Sequence, residues 1–72
     1  MISIHANNVP FHTLRIGTVV EEAPLYKEHT DIGHIVGFDR SSEGDLMLVV
    51  KFSKKKDPYP IHPANVRVWI EN

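Results

Sequence analysis

The segment Leu46-Met47-Leu48-Val49-Val50-Lys51-Phe52 constrains this chain more than any other. Leu46, Leu48, Val50 and Phe52 recur at every second position, so an extended strand places them on one side and Met47, Val49 and Lys51 on the other. Both sides are apolar near the middle. Such a strand belongs inside a sheet, or beneath a loop on its second side, rather than at an edge.

Its neighbours continue the pattern. Ile35-Val36-Gly37-Phe38 precedes it, and Asp39 to Asp45 supplies the turn chemistry of Ser41, Ser42 and Gly44, so His34 to Phe52 is predicted as a hairpin. Lys54, Lys55, Lys56 and Asp57 form a charged turn. Pro58 and Pro60 then flank a short extended piece with Tyr59 and Ile61, which fits a sheet edge. His62-Pro63-Ala64-Asn65 suits one 3₁₀ turn, after which Val66, Val68 and Ile70 alternate with Arg67, Trp69 and Glu71 as a last strand. Upstream, Ile2 and Ile4 suggest a short edge strand, and Leu14, Ile16 and Val19 a first barrel strand that bends at Gly17. Glu21 to Ile32 has no sustained helical or strand period and is predicted as a long loop with Leu25, Tyr26 and Ile32 as anchors.

Seventy-two residues leave room for one core, with residues 1–12 as an N-terminal edge segment and 13–70 as the body of a single domain. There is no cysteine, so neither disulfides nor thiolate-based zinc sites reinforce it. Packing, a partner or self-association must supply the stability. The opening Met-Ile-Ser-Ile-His lacks the basic start and continuous apolar run of a signal peptide, and a soluble cytoplasmic protein is expected.

The order of strand, long loop, hairpin, short strand, 3₁₀ turn and final strand resembles the SH3-like barrel superfold, including its Tudor-type and ribosomal KOW-type relatives. Ile61-His62-Pro63-Ala64-Asn65-Val66 is similar to the proline-x-asparagine segment that forms the 3₁₀ turn before the last strand of many SH3 domains. The resemblance spans about Thr13 to Ile70 and implies an all-β, small barrel of about five strands. It does not imply recognition of proline-rich peptides, because the one tryptophan, Trp69, lies in the final strand and not at the start of the third.

Enzymatic chemistry has little support. The chain lacks a cysteine, a nucleophile elbow and a phosphate-cradling glycine loop, and the adjacent Glu21 and Glu22 point apart on an extended chain. No cofactor, membrane or small-molecule substrate is expected. His29, Asp31 and His34 are candidate metal ligands by residue type, but the two histidines are five apart, a spacing that shares a face on neither helix nor strand. Two binding readings remain. Alternation sends Trp69 outward, where with Arg67, Tyr59 and Tyr26 it would form a patch for a protein partner or a second copy; the other fate of Trp69 is to pack under Ile2 to Phe11. Lys51, Lys54, Lys55, Lys56 and Arg67, interleaved with aromatics, are instead the ingredients of a nucleic-acid-binding surface. A formal charge of −1 weighs against that second reading.

Overall fold

A computed structural model of the chain describes residues 2–23 and 31–70. Six strands form one antiparallel sheet: β1 (Ile2–His5), β2 (Val19–Glu22), β3 (Ile32–Arg40), β4 (Leu46–Phe52), β5 (Tyr59–Ile61) and β6 (Val66–Ile70). Their spatial order is β1-β6-β2-β3-β4-β5, and the two outer strands do not pair with each other, so the sheet is unclosed. Among the described residues there is no α-helix; three 3₁₀ turns, Ala6–Asn8, Phe11–Thr13 and Pro63–Asn65, make the remaining regular structure. None of the described helical turns is long and apolar enough to cross a membrane.

The hairpin forms where its residue pattern places it. β3 and β4 run in register from Gly33–Phe52 to Arg40–Leu46, with one irregularity between Ile35 and Gly37. Ser41 closes the turn: its hydroxyl oxygen accepts from the N–H groups of Glu43 and Asp45, and its carbonyl accepts from Gly44. Gly44 sits at φ 88°, where a side chain would strain the backbone.

One side of the sheet holds the core. Val20, Ile35, Leu48, Val50, Phe52 and Val66 are fully buried, Val68 nearly so, and Ile4, Val9, Tyr59, Ile61 and Ile70 pack against them. Full burial of a side chain the size of Phe52 stabilises the fold by about 1.5–3 kcal/mol. Ala6 and Leu14 complete the cluster, so the segment before β2 contributes to the same core.

Three expectations need correction. The sheet has six strands and not about five, because the N-terminal segment pairs fully along β6 from Ile2–Ile70 to His5–Arg67. The strand expected from Leu14 lies further along, at Val19–Glu22. Before it, Arg15 to Thr18 is a turn in which the Thr18 N–H donates to the Arg15 carbonyl and Gly17 takes φ 93°. Leu14 drops into the core while Ile16, 63% exposed, stands at the tip of that turn. Glu21 and Glu22, assigned by composition to the long loop, belong to β2, and Ile32 opens β3.

Candidate functional site

The side of the sheet away from the core carries the candidate site. Directly opposed residues on neighbouring strands share a face, so the register assigns each outer side chain to a row. One row crosses His5, Arg67, Glu21 and Ile32. The next crosses Ser3 and Trp69, passes to Val19 one step beyond the Val20–Val68 pair, and continues through His34 to Lys51. Three large apolar residues in these rows are open to solvent: Trp69 at 48%, Val19 at 53% and Ile32 at 53%. A shallow depression of about 290 Å³ borders Val19 and Ile32, with His34, Lys51 and Ser53 also on its rim.

Beneath this surface β3 and β4 approach closely. A Cβ on Gly33 would stand 2.6 Å from the carbonyl oxygen of Lys51, so only glycine lets β3 lie this near β4 at that point. At the end of the same hairpin, the buried carboxylate of Asp31 accepts from the Ser53 hydroxyl, from Lys54 N–H at 2.9 Å and from Ile32 N–H at 2.9 Å. Burial alone would push its pKa up. The Ser53, Lys54 and Ile32 hydrogen bonds and the Lys54 charge outweigh that and hold the carboxyl below its ordinary value.

These partners separate the residues singled out from sequence. Trp69 and Arg67 lie two apart on β6 and share the outer face. Arg67 is fastened across β1, its Nε donating to Ser3 Oγ at 2.8 Å and its Nη2 to the Ser3 carbonyl at 2.9 Å. Tyr59 is on the opposite side: it pairs with the buried Val50, and its ring packs against Phe52 with centroids 5.6 Å apart. Tyr26 and His29 lie outside the described residues. The N-terminal segment packs through Ile4, Ala6 and Val9 against the core side, leaving the indole beside Ser3 and half exposed.

The five basic residues do not gather into one surface. Lys51 Nζ donates to the carbonyls of Phe52 and Lys55 and so caps the turn that follows β4. The backbone N–H of Lys54 donates to Asp31, and the side chains of Lys54, Lys55 and Lys56 are exposed beside the equally exposed Asp57. Arg67 is separated from all four by β2 and β3, with Glu21 directly opposite it. Of the metal candidates, Asp31 has both carboxylate oxygens engaged and His34 faces Lys51 across the hairpin. Among the described residues no three histidine, aspartate or glutamate side chains are grouped to hold a metal ion.

Val19 and Ile32 were missed as site residues. The residue pattern places Val19 in a bent strand and Ile32 in a loop; both are β-branched, and their outer parity follows only from the register. Comparison with protein-family models, with curated proteins and with solved structures gave no match.

Proposed function

We propose that the protein is a non-enzymatic binding module of the SH3-like barrel type that takes a protein partner on the outer face of β6, β2 and β3. The barrel reading is supported by the antiparallel order β6-β2-β3-β4-β5 and the 3₁₀ turn Pro63–Asn65 immediately before the last strand, with β1 as an added edge. The observation that carries the function is the exposed group of Trp69, Val19 and Ile32 on one face of three paired strands. Tryptophan and arginine are enriched where protein interfaces concentrate their affinity, and here Trp69 and Arg67 flank aliphatic side chains that a partner would desolvate.

The nucleic-acid reading draws on Lys54, Lys55, Lys56 and, at a distance, Lys51 and Arg67. Against it stand the engagement of Lys51 with two carbonyls, the carboxylates of Asp31 and Asp57 beside Lys54, Lys55 and Lys56, and Glu21 opposite Arg67. A protein captured by the native chain, purified and titrated back should bind at least tenfold more weakly to Trp69→Ala and to Val19→Asp, and unchanged to a Lys54, Lys55, Lys56→Ala triple variant. Fluorescence anisotropy with a single-stranded oligonucleotide at low salt examines the competitor. Oligonucleotide binding abolished by the triple variant, together with protein capture indifferent to Trp69 and Val19, would refute the proposal.

A further inference from the structure

Two imidazoles hold the backbone of a single residue, Ala64, in the 3₁₀ turn between β5 and β6. His62 stands at the N-cap of that turn, with its Nδ1 3.0 Å from the Ala64 nitrogen. The Nδ1 of His5, at the end of β1, lies 3.1 Å from the Ala64 carbonyl oxygen. The two backbone atoms fix the state of each ring. An amide N–H can only donate, so His62 Nδ1 carries a lone pair and the ring is neutral with its proton on Nε2. A carbonyl oxygen can only accept, so His5 Nδ1 carries a proton. A further proton therefore acts on the two rings in opposite ways. On His5 it goes to Nε2 and leaves the bond to Ala64 in place; on His62 it can go only to Nδ1, where it takes the lone pair that caps the turn.

We infer that His62 is a proton-operated latch on the turn that leads into β6, closed while its ring is neutral and open once it is an imidazolium, with His5 holding Ala64 in both states. An N-cap is ordinarily filled by serine, threonine, asparagine or aspartate, whereas histidine is the side chain that changes charge between about pH 5 and 8. The opening is local. The Asn65 N–H still donates to the His62 carbonyl at 2.9 Å, and the Ala23 N–H to the Asn65 carbonyl at 3.0 Å. Of the elements packed against the turn, β1 brings His5, β4 brings Lys51, β6 brings Arg67, and the turn Ala6–Asn8 brings no titratable group; Glu21 and Glu22 precede Ala23 at the end of β2. Lys51 and Arg67 are bonded elsewhere, to the carbonyls of Phe52 and Lys55 and to Ser3. By residue type the two imidazoles are the groups here that exchange protons near neutrality.

The latch is independent of what binds the outer face and is tested on the chain alone by nuclear magnetic resonance. Long-range ¹H–¹⁵N correlation at about pH 8, above the histidine range, should show His62 protonated on Nε2 and His5 on Nδ1. On acidification to about pH 5, the exchange protection of the Ala64 amide, corrected for the intrinsic pH dependence of exchange, should fall about three- to tenfold, the loss of one hydrogen bond, in step with the His62 ring. His62→Asn restores an acceptor that does not titrate, so Ala64 should be protected equally at both ends of the titration. His62→Ala should leave it at the lower level throughout. His62 protonated on Nδ1 at the alkaline end, Ala64 protection that does not change with pH, or a response that persists in His62→Asn would each overturn the latch.

Discussion

The two sides of β4 meet different demands although both are largely apolar. On one side Leu48, Val50 and Phe52 are sealed in the core; on the other Met47, Val49 and Lys51 are half covered, and the surface they begin runs across β3 and β2 to Trp69. The difference teaches that hydrophobicity alone does not define the interior of so small a sheet. Which side is sealed depends on which face receives Ala6, Leu14 and Val9 from the chain before β2.

The comparison breaks most sharply at Phe52. Phe52→Ala should cost about 3–5 kcal/mol, measured by denaturant unfolding, which for a chain of this size is most or all of its stability. Gly33→Ala should cost about 1–3 kcal/mol, because its methyl group meets backbone rather than a yielding side chain. Asp31 adds a pH signature. Its folded carboxyl lies below its unfolded value, so its contribution is in place above about pH 3.9 and is lost as pH falls through the lower folded value. Asp31→Asn should destabilise the protein at neutral pH, by turning an amide N–H group toward Ser53 or Lys54, and should remove that part of the acid dependence. Trp69→Ala is expected to change unfolding by less than about 1 kcal/mol, the response of a half-exposed side chain. A loss as large as that of Phe52→Ala would mean that the outer face is a second core.

Legibility in the sequence followed the strength of local pattern. β4, the hairpin turn at Ser41 and Gly44, the 3₁₀ turn at Pro63 and the outward course of Trp69 all rest on period-two alternation or on residues with a fixed conformational preference, and each stands where expected. β2 was displaced because Leu14 and Ile16 imitate an alternating strand, whereas Val19–Glu22 is four residues long and owes its extended form to pairing with β3 and β6. The lysine cluster is a case of the same kind. Spacing records that Lys51, Lys54, Lys55 and Lys56 are close along the chain; it does not record that the Lys51 ammonium bonds to carbonyls or that β2 and β3 separate Arg67 from all four. Arg67 and Tyr59 were likewise assigned to one patch with Trp69, and only the register shows that Tyr59 faces the other way.

The pairing of β1 with β6 also sets an order of events. It joins residues 2–5 to residues 67–70, the most distant partners in the sequence, whereas β3 and β4 are joined by a short turn. Closing the larger loop forfeits more chain entropy before any contact offsets it, so the hairpin is the natural nucleus and the first strand the last to dock on refolding. By the same reasoning β1 is the first to leave on partial opening, and its departure bares the flank of β6 together with the buried Ala6.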